Sequence, residues 1–281
     1  MKPDPRFVNQ PKEFWAHVRL IGQEVGYTDR RTGTIKIPTL QEIEACFKTL
    51  RLRMDGISSS EGGLTEVGIS LFNYFRFRSD LLLNAIEPFL MNAGEARRTF
   101  QSLKVRLRPR CHLPMNKQKG KKRTPAYLTG IINMLIEANA EGLPCDYDPH
   151  RLTVVTREGA PLRTLARRVD GAFPSTVNPI AIWEVKEYYY TTTFGSRVAD
   201  GVYESLLDGM ELEELWRVRR IHVRHILMVD AKYTWWDCGK SYLCRLVDML
   251  HMGYVDEILF GREVLEEVPR LVKEWVAIAK Q

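Results

Sequence analysis

The sequence predicts an α/β protein with a mixed central β-sheet flanked by helices, preceded by a mainly helical region over residues 1–103. Three observations predict it. Apolar residues in the first hundred positions recur every three or four residues, the spacing of a single helical face. Two short apolar runs, Val169-Asp170-Gly171 and Ile182-Trp183-Glu184-Val185-Lys186, are separated by turn formers from Pro174 to Pro179 and read as a hairpin. Beyond residue 195, helical and strand patterns alternate, which is the order of a layered α/β arrangement.

In the first region, Lys12 to Val25 and Thr39 to Arg53 read as helices. Phe14, Val18, Ile21 and Val25 make one apolar face, and Leu40, Ile43, Phe47 and Leu50 the other. Arg31 to Pro38 between them reads as a loop or small hairpin. Asp55 to Gly63, rich in glycine and serine, is the best candidate for a linker, and Leu64 to Leu103 after it reads as mainly helical with breaks at Pro88 and Gly94. Thr124-Pro125 predicts the next helix start, a capping threonine with proline in the first turn, running to about Asn139. After the two acidic strands, Gly195-Ser196 opens a long helix through Arg219 with Val198, Val202, Leu206 and Met210 down one side. A strand over Ile221 to Val229, a helix over Ser241 to Met252, a strand over Val255 to Phe260 and a helix over Arg262 to Ala279 complete the pattern, without internal repeats.

At 281 residues, 44% of them hydrophobic, the chain has ample material for a core. No window approaches the roughly eighteen uninterrupted apolar residues of a membrane span, and the start lacks a secretion signal, so a cytoplasmic location is expected. Five scattered cysteines argue against a disulfide framework. The net charge of +6 is concentrated in one place: between Arg97 and Arg123 there are eleven basic residues and no acid, which leaves the rest of the chain at −5. Such a one-sign run needs a polyanion to neutralise it, and nucleic acid fits. Within it, residues 104–123 form a basic DNA-contacting segment, with Arg106, Arg108, Arg110, Lys117, Lys119, Lys121, Lys122 and Arg123 as phosphate contacts. Residues 124–281 form the α/β domain. Arg197, in the first turn of the long helix, adds a further phosphate contact beside free backbone N–H groups. The bland alternative for the basic run is a solvated loop.

The acidic strands suggest the chemistry. Residues two apart on a strand share a face, so Glu184 and Lys186 project together, and the hairpin brings Asp170 beside Glu184. Two neighbouring carboxylates repel, and a hard divalent cation such as Mg²⁺ relieves the repulsion while leaving coordination sites for phosphate and water. Lys186 can orient the attacking water and offset charge on the phosphorus. Asp170, thirteen residues, then Glu184-Val185-Lys186 resembles the PD-(D/E)xK nuclease superfamily, and its type II restriction endonucleases in particular, over roughly residues 124 to 260. Val169 stands where the family name has proline. The resemblance implies a restriction-endonuclease-like core, Asp170 and Glu184 as metal ligands, Lys186 as the catalytic lysine, and a glutamate from a preceding helix, Glu137 in preference to Glu141.

The expected function is therefore Mg²⁺-dependent hydrolysis of double-stranded DNA by a restriction-type endonuclease, with a homodimer suited to cutting both strands and no nucleotide cofactor. The alternatives are a repair or recombination nuclease of the junction-resolvase kind, or a DNA-binding protein in which the three residues form an internal ion network. Other signals carry less. His222 and His225 have opposite parity on their strand, which speaks against zinc shared with Cys238 and Cys244. Cys238-Gly239-Lys240-Ser241 lacks the leading glycine and strand of a phosphate-binding loop. Tyr188 to Thr193 continues the site strand with β-forming residues, and Asp230, Trp235 and Trp236 read as structural.

Overall fold

The computed structural model describes residues 1–29, 31–59, 63–116, 124–190 and 195–281. The N-terminal region is built from α1 (Pro5–Val8), α2 (Lys12–Glu24), α3 (Leu40–Thr49), α4 (Glu66–Leu81) and α5 (Ala93–Leu107). A capping box in which Thr39 and Glu42 bond each other's backbone N–H groups starts α3. It stops at Thr49, short of the expected Arg53, where Arg51 turns into the left-handed region at φ 56°. Phe14, Val18 and Ile21 of α2, Ile43 and Phe47 of α3, and Leu71, Tyr74 and Phe75 of α4 close one apolar cluster.

Two expectations for this region change. The segment read as a linker is packed into the core, because Ile57 is fully buried and accepts the Thr65 N–H at 3.0 Å, with Gly68 allowing that carbonyl to approach. Residues 60–62 of that segment lie outside the described residues. Gly94 does not break a helix either. Asn92 and Glu95 form a capping box that starts α5 just before it, and the interruption falls earlier, in a π-helical turn at Leu82–Ile86 and a 3₁₀ turn at Glu87–Phe89 containing Pro88.

The α/β part begins with α6 (Tyr127–Asn139), followed by β1 (Asp146–Tyr147), β2 (Val154–Arg157), β3 (Ala160–Thr164), β4 (Gly171–Phe173) and β5 (Ala181–Glu187). Then come α7 (Ser196–Arg219), β6 (Arg224–Asp230), α8 (Lys240–His251), β7 (Glu257–Phe260) and α9 (Val264–Ala279). Five strands form one mixed sheet in the order β1-β4-β5-β6-β7. The first two pairings are antiparallel and the last two parallel, while β2 and β3 make a separate hairpin. Trp183, Met228 and Leu259 face α6 and α9 across one side of the sheet; Leu227, Val229 and Ile258 face α7 and α8 across the other. The result is three layers, helix on sheet on helix. Among the described residues, no helix is long and apolar enough to cross a membrane.

The start of α6 also differs from expectation. Pro125 pairs with Met115 in an antiparallel bridge and Ala126 N–H bonds the Pro114 carbonyl, so the helix begins at Tyr127 without a side-chain cap on its own first residue. The donors of its buried first turn are met from the sheet instead: Glu187 accepts the Leu128 N–H at 2.7 Å and the Thr129 hydroxyl at 3.2 Å.

Polar joints fasten the layers. Arg78 of α4 is buried against Asp248 of α8 at 2.8 and 3.0 Å, and the Tyr74 hydroxyl donates to the same carboxylate at 2.7 Å. Asp230, at the end of β6, accepts the Met91 and Ala231 N–H groups at 2.7 and 2.8 Å and the Tyr189 hydroxyl. Burial pushes its carboxyl up to about 7, although those three donors pull the other way.

Two outcomes follow from these joints. Asp248→Ala strands the buried Arg78 guanidinium and should cost about 3–5 kcal/mol in urea unfolding. Asp230 keeps its proton in the fold to about 7 while the unfolded chain releases it near the ordinary carboxylate value, so its contribution to stability falls as pH rises through that window. Asp230→Asn retains an acceptor and a donor there but cannot ionise. Its melting temperature should therefore gain on that of the wild type from about pH 4 to pH 7 and stay level above.

Candidate functional site

Asp170 precedes β4, and Gly171 beside it fixes its position. A Cβ on Gly171 would stand 2.1 Å from Trp183 Cζ2, so only glycine lets β4 lie against that indole, itself stacked on Trp275 at 5.8 Å. The antiparallel β4–β5 register then brings Asp170 to Glu184. The Asp170 N–H donates to Glu184 Oε1 at 3.2 Å, and Asp170 Oδ2 accepts the Val185 N–H at 2.8 Å. Glu184 shares its face with Lys186, whose Nζ lies 2.7 Å from Glu184 Oε2. Asp170, Glu184 and Lys186 thus stand together.

They are not alone. Arg167, from the loop between β3 and β4, reaches Glu184 Oε1 at 2.9 Å and Asp208 of α7 at 2.6 Å, and Glu204 of α7 approaches Lys186 at 2.9 Å and Arg167 at 3.2 Å. The motif spacing left out Arg167, Glu204 and Asp208. One signal was present for Asp208, an acid on the apolar face of a helix. That face runs Val198, Val202, Ser205, Asp208, Leu212 and Leu215, whereas Met210, expected on it, is half exposed. Steps of four drift by about 40° each on a helix of 3.6 residues per turn, so a stripe read four by four leaves the buried side by its fourth member.

The electrostatics separate the carboxylates. Burial pushes Glu184 up, but the neighbouring Lys186 and Arg167 outweigh it and hold the carboxyl below its usual value. Burial and the adjacent Glu184 push Asp170 up to about 6 against the pull of Lys186. Asp208 is pushed up to about 7 by burial, with Arg167 opposing. Burial works against the charge on Lys186, yet Glu184 and Asp170 raise its pKa above the ordinary lysine value, so it stands as an ammonium.

Asp170 opens onto a pocket of about 260 Å³ whose walls include Asp148, Val185, Glu187, Tyr188 and Arg197. Asp148 and Glu187 are further acids that the motif did not name. Glu187 has the parity of Val185, on the opposite side of β5 from Glu184, and burial pushes it up to about 7 against the pull of the Leu128 and Thr129 donors. Asn116 and Ala126 line the same pocket, and Asn116 N–H bonds the Thr124 carbonyl at 2.8 Å, so the two residues that flank positions 117–123 of the basic stretch meet at the pocket's edge. Lys117, Lys119, Lys121, Lys122 and Arg123 lie outside the described residues. Arg106 sits in the last turn of α5, and Arg108, at φ 47°, ends that helix; both are exposed, as are Arg110 and the pocket-lining Arg197.

Glu137 stands apart from the cluster. Both its oxygens accept the Arg110 N–H, at 3.2 and 2.9 Å, nine residues and about 14 Å along α6 from Leu128. The amino end of α6, not its carboxyl half, faces the pocket. Glu141 pairs with Lys280. Among the described residues, no group of three or more His, Cys, Asp or Glu is arranged to hold a metal ion. His222 bonds Asp256 at 2.9 Å, His225 is buried against the Tyr254 carbonyl, Cys238 is exposed and Cys244 is buried in α8.

Residues 91–275 match the family model described as Domain of unknown function (DUF7687). The chain belongs to that family. Every member of the ion cluster, from Arg167 to Asp208, falls within the DUF7687 match, as do the pocket and the basic stretch. Residues 1–85 match a second model, Domain of unknown function (DUF7690), which holds α1 to α4 and the Arg78 that docks on α8. No curated protein and no solved structure matches the chain.

Gly171→Ala should drive a methyl group into Trp183, destabilise the chain by about 1–3 kcal/mol in chemical denaturation, and displace Asp170 from the Val185 N–H.

Proposed function

We propose that this chain is a Mg²⁺-dependent endodeoxyribonuclease that hydrolyses phosphodiester bonds of double-stranded DNA, most similar to a type II restriction enzyme. The observation that carries the reading is the meeting of Asp170 and Glu184 across β4 and β5, with the Lys186 ammonium 2.7 Å from Glu184, beside a pocket lined by Asn116, the residue that precedes the lysine-rich part of the basic stretch. The donor set suits a hard cation. Asp170 and Glu184 bring carboxylate oxygens together, and Asp148 lines the pocket onto which Asp170 opens. Asp170 and Glu184 would hold the ion, which supplies Lewis-acid activation of water and phosphate when bound.

The remaining work belongs to the chain. Lys186, protonated and buried, supplies fixed positive charge for a phosphorus centre gaining negative charge, and its state favours this role over that of a base. Arg167 and Glu204 keep its ammonium and the Glu184 carboxylate oriented between them. Arg197 at the pocket wall, with Arg106, Arg108, Arg110 and the lysines from Lys117 to Lys122, holds the DNA backbone. Two-fold pairing of subunits would place one such site on each strand.

One feature favours a second reading. Glu184 is already met by two cationic side chains and a backbone N–H, the composition of an internal ion network in a DNA-binding protein without catalysis. Incubation of the purified protein with plasmid DNA in Mg²⁺ or EDTA separates the two. The nuclease gives Mg²⁺-dependent fragments, and Lys186→Ala and Asp170→Asn each lower cleavage at least about a hundredfold while gel retardation persists. Retardation without cleavage, equal in the wild type and both variants, would establish the binding protein instead.

A further inference from the structure

The outward face of α7 carries exposed residues at alternating steps of three and four, beginning at Ser196 and continuing through Asp200, Tyr203, Leu207, Met210, Glu214 and Arg217. Such spacing keeps side chains on one side of a helix and is the spacing of a helix-pairing seam. Its centre is apolar, with Tyr203 52%, Leu207 44% and Met210 50% exposed. Three large apolar groups in a row on a solvent-facing helix need a partner more than scattered ones do.

We propose that this face binds a second copy of this chain, with α7 packing antiparallel against its twin about a two-fold axis midway between Leu207 and Met210. The order of charges selects that occupant. About this midpoint, Asp200 lies opposite Arg217 of the second copy, Tyr203 opposite Glu214, and Leu207 opposite Met210. Each pair occurs twice, as an isologous contact requires. The outer pairs are an acid with a base, the middle pairs a hydroxyl with a carboxylate, and the inner pairs apolar. Parallel pairing of the same face would set Asp200, Glu214 and Arg217 each against its own copy, a like-charge clash at three levels. Glu214 is already held on its subunit by Arg163 of β3, which limits the freedom its carboxylate would lose on pairing.

The buried Asp208 and, on the flank of α7, the half-exposed Glu204 reach into the ion cluster, so a pair of α7 helices would lie between two such clusters. The seam rests on exposure and charge order alone and does not depend on whether the chain cuts DNA. An interface built mainly on one helix pair falls at the small end of stable contacts, and a dissociation constant of roughly 1–100 μM is expected.

Sedimentation of the full chain without DNA tests this. The wild type should show a concentration-dependent monomer–dimer equilibrium, and Leu207→Asp should weaken it at least about tenfold. Asp200→Arg alone should weaken it similarly, and the double variant Asp200→Arg with Arg217→Asp should return to within about threefold of wild type, because the reversed charges meet again across the two-fold axis. All these side chains are exposed, so unchanged circular dichroism is expected of each variant. A wild type that stays monomeric through that range, or a dimer unmoved by Leu207→Asp and by the charge reversal, would overturn the proposal.

Discussion

Glu184 is a carboxylate with no exposed surface, placed in the middle of the central strand, and much of the α/β region is organised around keeping it charged. An uncompensated buried carboxylate costs several kcal/mol, more than most single contacts return. Compensation comes from two cations, Arg167 from the loop before β4 and Lys186 from β5 itself, which Glu204 and Asp208 of α7 share from the other side. The loop, the strand and the crossover helix are thereby tied at one point. Aliphatic packing in the same place would give comparable stability without the charges, so burial alone does not account for the cluster.

Two further acids, the half-buried Glu187 and the buried Asp230, mark the carboxyl ends of the parallel strands. Glu187 and Asp230 are register partners on β5 and β6. The first receives the N–H groups at the amino end of α6, and the second receives Met91 just ahead of α5. Glu187 fills a gap that helix geometry leaves open, Asp230 fixes the chain as it enters α5, and together they anchor two helices at the ends of β5 and β6. The buried Arg78–Asp248 pair does the same between the two family regions, so the N-terminal helices are joined to α8 by a charge pair set among aromatic rings.

Much of the fold was legible because the patterns are local. The bounds of α7, the hairpin between β4 and β5 and the shared face of Glu184 and Lys186 follow from periods of 3.6 and 2 that no tertiary contact overrides. Where a local signal misled, a distant group had taken over its role. Thr124 does not cap α6 because Glu187, some sixty residues on, meets that helix's first N–H groups. Asp55 to Gly63 is not a free linker because Ile57 finds a place in the core. Glu137 has the expected place on a preceding helix, but which end of that helix reaches the pocket depends on how α6 packs on the sheet.

The sequence by itself determined the order of strands and helices from β4 onward, the antiparallel juxtaposition of Asp170 and Glu184, the side on which Lys186 points and the concentration of positive charge before α6, since each is set by nearest neighbours and backbone periodicity, whereas the short strands β1, β2 and β3 carried no such signal. Only the tertiary structure decided that Arg167, Glu204 and Asp208 complete the ion cluster, that Asp148 and Glu187 share a pocket with Asp170, and that one face of α7 remains uncovered. Those facts depend on where separate elements meet. Meeting is governed by the burial of apolar surface over the whole chain, and no stretch of a few residues carries that information.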